Sequence, residues 1–600
     1  MERLTGLDAS FLYVETPTLH MHVAMTTIID PSTIPGGYSF EALKQFIARR
    51  VPHAPVFQRR LVEVPFRFGH PVWVDDPDFD IDYHVRLAAV PGPGGLRELA
   101  SIAGDITGRP LDRARPLWEM WIIEGLSDGR IGFIAKMHHS TVDGVSGAEL
   151  LSVLFDLEPD PPERPAPDPG IVDTHVPSSL ELITQAVIAR TVRPFEMAKD
   201  VFTTGQRILR VRQVRQGSES RPGLGKAALP LSAPRTSFNG SLTRRRSVAL
   251  SAIGLDDVKR LKDARGTTVN DVVLAVCTGA LRRFLIDGDE LPDKPLVAVV
   301  PVSVRPSNPD MAGSNKVSSM FVQLPAQLED PLAQLEAIHQ GTRGAKEEHN
   351  ALGAETLLNW TEHATPNVFA AGARLYSRMR LAERHRPIAN LVISNVPGPD
   401  FPLYFGGAEL QAGFPLGPVM DGLGVNITIM SYRGVLYWGM MACPEAIPKV
   451  WHLAAAIPLA LDELLDAAGL GPATYRSADA ADAVRAAGID VPDVSSPAVG
   501  SDRPVAKKKA APAKKAPSRK SAAKKAAPAK KSAPAKKAAA HTTAPTNPAA
   551  EKVAARNAAP TVDSARAHAR PPLETEDAGP SGPGPGPTVG NDAPTGPSWP

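Results

Sequence analysis

Two apolar runs, Trp118 to Leu126 and Ile131 to His138, are separated only by Ser127-Asp128-Gly129-Arg130. Asp-Gly between two strand-length apolar runs predicts an antiparallel hairpin, because Asp and Gly tolerate the positive-φ backbone of a tight turn. The second run therefore lies on an ordered sheet, and it ends in Met137-His138-His139-Ser140-Thr141-Val142-Asp143-Gly144. Beyond it, Leu150, Leu151, Leu154 and Phe155 recur at helical spacing. A strand end, a short polar turn and a helix start make a rigid mount for polar side chains. Taken alone, the stretch admits a plain reading: two polar residues at a strand end, with Asp143 capping the following helix.

The rest of the chain divides by composition. Residues 1–156 read as mixed α and β, with a strand over Met21–Ile29 and a helix over Glu41–Arg50 entered at Ser39. Residues 157–240 read as a Pro- and Asp-rich linker followed by a long basic amphipathic helical stretch, Ser178 to Gln216. Such a stretch suits either an anionic membrane surface or a solvated basic face. Residues 241–475 form a second mixed region. Helices are expected over Ser251–Arg265, stopped by Gly266, and from Thr268 to about Leu285, where Asp271 completes a capping box. Strands follow at Leu296–Val302, Ser318–Leu324 and Ile388–Ser394, with a helix beginning at Asp330-Pro331. Val425–Tyr432 and Val435–Ala442 form a second hairpin across Arg433-Gly434, and a helix from Pro448 to Ala468 closes the body. Residues 476–600 read as a disordered tail, Ala/Pro/Lys-rich and then Gly/Pro-rich.

The net charge of +2 conceals a split: residues 501–540 carry +13, residues 541–600 carry −2, and residues 1–500 carry −9. The polycationic segment repeats Ala-Pro-Ala-Lys-Lys and suits nucleic acid or anionic lipid bound with little sequence preference. It lacks interleaved aromatics or a base-reading module, which argues against specific DNA recognition. Two cysteines, Cys277 and Cys443, leave no disulfide framework and fit a reducing cytosol. The N-terminus has no signal-peptide pattern, and the longest apolar run near the end, Val450 to Leu461, is too short to span a bilayer. The expectation is a cytoplasmic protein whose membrane contact, where it has any, is peripheral.

The His pair is then weighed chemically. Adjacent residues on a strand face opposite ways, so His138 and His139 do not ligate one metal together, and no second His motif is apparent nearby. The body has no Gly-x-Ser-x-Gly elbow, and Cys277 falls mid-helix, which argues against a covalent nucleophile. One His acting as general base remains, with Asp143 and Gly144 shaping its loop. A neutral imidazole takes a proton from a hydroxyl near pH 7 and so serves direct attack of an alcohol on an activated acyl group.

HHSTVDG resembles the HHxxxDG motif of the CoA-dependent acyltransferase superfamily. The nearer resemblance is to the actinobacterial type of wax ester synthase/diacylglycerol acyltransferase. LDASFLYVET (Leu7–Thr16), Pro116-Leu117-Trp118-Glu119 and PRTSFNG (Pro234–Gly240) are similar to it. So are Asn270-Asp271, PVSVR (Pro301–Arg305), SNVPGP (Ser394–Pro399) and GVNITIMSY (Gly424–Tyr432). The resemblance covers roughly residues 1–470 and implies an α/β fold of two chloramphenicol-acetyltransferase-like halves joined by a crossover, with a tunnel between them. It implies His139 as the general base, His138 as support, Asp143 as structural, and Gly144 as keeping the tunnel open. Asn270 and Asp271 are implied on the substrate side, though Asp271 equally caps its helix. Pro116 and Trp118 are implied beside the acyl channel or in packing, and Ser394 and Asn395 at a tunnel-side turn. It further implies acyl-CoA as co-substrate with no prosthetic group and no metal, and diacylglycerol as acceptor. A long-chain alcohol, giving a wax ester, is the alternative acceptor. The resemblance also implies the inner membrane or lipid droplets as the place of work. A reading from another class, a lipid-surface or nucleic-acid tether with a vestigial body, rests on the basic tail and basic helix.

Overall fold

The computed structural model describes residues 2–142, 147–165, 178–184, 228, 231–304, 316–352 and 366–486. Two six-stranded sheets organise them. The first has the order Tyr404–Phe405, Ala408–Leu416, His22–Asp30, Ile131–His138, Trp118–Glu124, Val85–Ala89. At its centre the predicted hairpin forms: Trp118 pairs with Met137, and Asp128 and Gly129 carry the turn at φ 68° and 72°. The strand predicted at Met21–Ile29 runs from His22 to Asp30 and puts His22 directly opposite His138.

Two strands of this sheet arrive from far along the chain. Ala408–Leu416 pairs antiparallel with His22–Asp30, so the second region completes the sheet of the first. The second sheet has the order Lys316–Leu324, Leu296–Val304, Leu391–Val396, Val425–Tyr432, Val435–Ala442, Ser247–Gly254. The exchanged strand also packs against its Val435–Ala442 strand. There a Cβ on Gly439 would lie 1.8 Å from the Pro415 carbonyl oxygen, so only glycine lets the backbones approach this closely. A single apolar cluster runs through both sheets and the buried helices Val269–Asp287 and Val450–Ala467, so the two regions share one core.

Local signals fix many boundaries. Ser39 caps the helix Phe40–Arg50, and Thr268 and Asp271 form the predicted capping box of Val269–Asp287. Arg433 and Gly434, both at positive φ, turn the second hairpin. Three expectations are corrected. Ser251–Gly254 belongs to the strand Ser247–Gly254; the helix occupies Leu255–Arg265, ending at Gly266 in the left-handed region. The polar turn after His138 is a single helical turn, His139–Val142. The body does not end at 475: a helix, Ala478–Ala486, buries Ala480 and Ala483 in the core. Its Asp479 accepts from both guanidinium nitrogens of Arg130 at 2.7 and 3.0 Å. Of the basic stretch Ser178–Gln216 only residues 178–184 are described; the remainder, and the basic tail, lie outside the described residues. Among the described residues no helix is long and apolar enough to cross a membrane.

Candidate active site

The site begins with a buried lysine. Lys136 is fully buried and donates to the carbonyls of Ile106 and Arg109, at 3.0 and 2.9 Å, at the end of the helix Leu96–Thr107. Helix-end carbonyls carry partial negative charge, and Glu119 lies 3.6 Å away, so the ammonium is compensated although burial lowers its pKa. This ties the Ile131–His138 strand to a helix and fixes its end.

At that end the two histidines differ. The His138 N–H donates to the Leu117 carbonyl, and the Thr141 hydroxyl closes back on the His138 carbonyl at 2.6 Å. The ring is buried. Its Nδ1 accepts from the Ser140 backbone N–H at 3.1 Å, so a neutral ring carries its proton on Nε2. Nε2 faces the Glu15 carboxylate at 3.3 Å. His139 is held by its backbone N–H on the Met21 carbonyl at 2.7 Å. Its ring stacks on Phe11, centroids 4.2 Å apart, and stays half-buried. The His138 imidazole is committed to internal bonds; His139 as a residue is only half-buried, although its Nδ1 is shielded from solvent.

Glu15 is the hub that the sequence reading missed. It accepts from the Met21 N–H at 2.8 Å and from Arg113 at 2.6 Å, and lies 3.9 Å from His22. Burial opposes its charge, but His138, Arg113 and His22 outweigh that and hold its carboxyl well below the usual range. Burial pushes His22 and His138 down, Glu15 opposing only in part, and His20 falls to about 4 for the same reason. Three imidazoles therefore stay neutral near pH 7 beside one ionised carboxylate. A second His motif does exist: His20 and His22 stack, 5.3 Å between centroids, and His22 meets His138 edge-on at 5.9 Å. The signal was the i, i+2 spacing at a strand start. Among the described residues the cluster is not a metal-holding group.

The remaining predicted residues fall in different places. Asp143 and Gly144 lie outside the described residues. Trp118 is a core side chain, stacked on His84 at 4.3 Å with its indole N–H on the Phe57 carbonyl, and Pro116 is buried beside it. Asp271 caps its helix and also bonds His339 and Thr342, at 2.8 and 2.7 Å. These bonds and the Thr268 cap outweigh burial and lower its pKa. Asn270, next to it, is half-buried. Among the described residues neither bonds to His138 or His139. Ser394 and Asn395 sit half-buried on a central strand of the second sheet, opposite Thr428 and Ile429. In the turn after them a Cβ on Gly398 would lie 2.1 Å from the Ser431 carbonyl oxygen, so only glycine allows this approach. Asn239 of PRTSFNG is an internal staple, donating to the carbonyls of Ala389, Asn390 and Gly422.

A cavity of about 610 Å³ adjoins the cluster. Leu12, Leu61, Val64 and Leu111 give it apolar walls, and Glu15, His20 and Arg113 also line it; His139 is not among its walls. A second groove, also about 610 Å³, shares Gly108 and Arg244 with it and is lined by Arg97, Arg109, Arg245, Arg246 and Lys449. Asp105 also lines it, but Arg109, Arg244 and Lys449 form no ion pair among the described residues, which leaves the groove cationic.

A two-halved α/β body with an HHxxxDG pair at a strand end is the architecture of a CoA-dependent acyltransferase, and comparison with known proteins narrows it. Residues 4–273 match the wax ester synthase/diacylglycerol acyltransferase catalytic domain, and residues 313–465 match the WS/DGAT C-terminal domain. A relative from Mycobacterium tuberculosis (strain CDC 1551 / Oshkosh), provisionally named a diacylglycerol O-acyltransferase, is 43% identical over 467 residues. The match covers 78% of this chain and 90% of the relative. Another such relative from the same strain is 36% identical over 473 residues, covering 78% and 97%. The solved wax ester synthase/diacylglycerol acyltransferase from Marinobacter aquaeolei VT8 superposes with a TM-score of 0.57 at 30% identity, covering 78% of this chain and all of that one. The chain belongs to the wax ester synthase/diacylglycerol acyltransferase family, and it is an acyltransferase.

Proposed function

We propose that the protein transfers a long-chain acyl group from acyl-CoA to the free hydroxyl of diacylglycerol, forming triacylglycerol. The observation that carries the mechanism is the division of labour in the His pair. His138 has both ring nitrogens directed at internal partners, Ser140 and Glu15, while His139 keeps accessible surface. His139 takes the proton of the acceptor hydroxyl as its oxygen attacks the thioester carbonyl. The tetrahedral intermediate collapses, the C–S bond breaks, and the CoA thiolate leaves with the proton returned by His139. Asp143 and Gly144 shape the loop. Asn270, Ser394 and Asn395 bear on the substrate from the second half, Asp271 holds the start of the Asn270 helix, and Pro116 and Trp118 support the strand end from the first. No prosthetic group or metal is required, since the thioester itself supplies the leaving group.

The cationic groove supports acyl-CoA as donor, because Arg109, Arg244 and Lys449 suit a phosphate-rich headgroup beside an apolar cavity. The names of the relatives support diacylglycerol as acceptor. The family's description also supports a long-chain alcohol as a second acceptor. The enzyme would work at the inner membrane surface or on lipid droplets, with the basic tail adding non-specific attraction to anionic lipid or nucleic acid. The test is product analysis with purified protein, labelled acyl-CoA, and diacylglycerol and hexadecanol in competition. Triacylglycerol formed with stoichiometric CoA release is expected. No acylated product above background with either acceptor rejects the reading.

A further inference from the structure

The helix Pro366–Arg378 packs one face and displays an apolar stripe on the other. Pro366 and Ala370 are buried. Val368, Leu375 and Met379, spaced by seven and then four residues, fall on the side directly opposite, and they are 71%, 55% and 42% exposed. A second apolar point adjoins. Phe66 and Phe68, in the turn at Pro65–Arg67, are 76% and 42% exposed. Phe66 holds a left-handed backbone at φ 55°, unusual for a bulky residue. The Asn367 side-chain amide donates to the Phe66 carbonyl at 2.9 Å and joins the two elements.

Single exposed apolar residues are ordinary; five on joined elements form a patch of the kind that meets a partner. The charges beside it select which. Arg374 and Arg378 run along one side of the stripe and form no ion pair among the described residues. The patch also borders the apolar cavity, whose lining includes Arg67, Pro366, Ala370 and Arg374. An apolar stripe bordered by arginines outside any ion pair is complementary to a phospholipid headgroup layer, where anionic phosphates lie above acyl chains.

We propose that this face docks the protein on an anionic phospholipid surface. Phe66, Val368 and Leu375 enter the boundary between headgroups and acyl chains, Arg374 and Arg378 meet the phosphates, and the cavity opens against the leaflet. The inference rests on the acyltransferase reading only in taking the partner to be a lipid.

The test is flotation of the full-length protein with phosphatidylcholine vesicles, with and without phosphatidylglycerol. At about 0.5 M salt, where the basic tail is largely screened, the triple variant Phe66→Ser/Val368→Ser/Leu375→Ser should partition at least about tenfold more weakly than the wild type. It should keep its thermal midpoint and its transfer to a dissolved short-chain acceptor. Arg374→Gln/Arg378→Gln should lose binding to the anionic vesicles selectively at low salt. In Phe66→Trp, indole emission should be quenched by brominated lipid. Unchanged flotation of the triple variant, or an unquenched indole, overturns the proposal. So does light scattering that shows a wild-type dimer dissolved by the triple variant while flotation is unchanged. Wild type that floats but transfers no acyl group rejects the enzymatic reading and leaves the docking result standing.

Discussion

His22 and His138 sit directly opposite one another across an antiparallel strand pair, and the Glu15 carboxylate reaches both, at 3.9 and 3.3 Å. This ties His138 into the scaffold and separates it functionally from its neighbour. His139→Ala is expected to lower kcat by about 10²- to 10⁴-fold with little change in thermal midpoint, as loss of a general base does. His138→Ala removes the partner of a buried carboxylate and should lower the melting temperature as well as the rate. Initial rates and calorimetry on the two variants check this; a melting temperature lowered more by His139→Ala than by His138→Ala contradicts it.

Glu15→Gln leaves His138 without its carboxylate and Arg113 with only Glu63, 3.7 Å away. The expected cost is about 1–3 kcal/mol, read from urea unfolding. An unchanged midpoint contradicts the hub role.

Acid should destabilise the fold earlier than carboxylate titration alone predicts. His20, His22 and His138 bind protons less readily when folded than at their ordinary value of 6.5. Above that pH neither state is protonated and nothing changes. As pH falls through 6.5 the unfolded chain takes up protons that the folded one refuses, so stability declines until His20 itself titrates near 4. The buried pair His22 and His138 contributes a decline of the same sign. Glu15, ionised in the fold well below its ordinary 4.5, adds a loss of the same sign at lower pH. Urea midpoints for wild type and His22→Gln at several pH values between neutral and 4.5 should show a shallower decline in the variant.

Asp271 and its neighbour separate scaffold from substrate contact. Asp271→Ala loses a helix cap and the bonds to His339 and Thr342 and should cost about 1–3 kcal/mol. Asn270→Ala should instead raise the KM of one substrate at little cost in stability. Reversed effects contradict both assignments.

The cationic groove predicts a split in kinetics. Arg109→Ala and Arg244→Ala should raise the KM for acyl-CoA and weaken its salt dependence while leaving kcat nearly unchanged. An altered acceptor KM with an unaltered acyl-CoA KM contradicts the placement of the CoA phosphates.

Local chemistry made much of the architecture legible. Asp128-Gly129, Arg433-Gly434, Ser39 and the Thr268–Asp271 box each specify a turn or cap within four residues, so each was readable. The apolar run before Leu255 was not, because continuous buried segments lack a diagnostic period and the strand–helix junction has no polar cap. Glu15 was hidden for a different reason. Its partners Arg113 and His138 lie about a hundred residues away, and only folding makes their charges neighbours. The His pair was visible as chemistry; its division of roles depends on Ser140, Phe11 and Glu15 and was visible only in three dimensions.

The strand exchange has a consequence for synthesis. The His22–Asp30 strand gains its second neighbour, Ala408–Leu416, only after roughly 280 further residues beyond His138 have been made. At about 5–20 residues per second that wait is roughly 15 to 55 s. Throughout it the nascent chain presents an unpaired strand edge, open to the wrong partner. Abundance in the cell would then depend on the translation rate between these strands and on chaperones that shield the edge until its distant neighbour arrives.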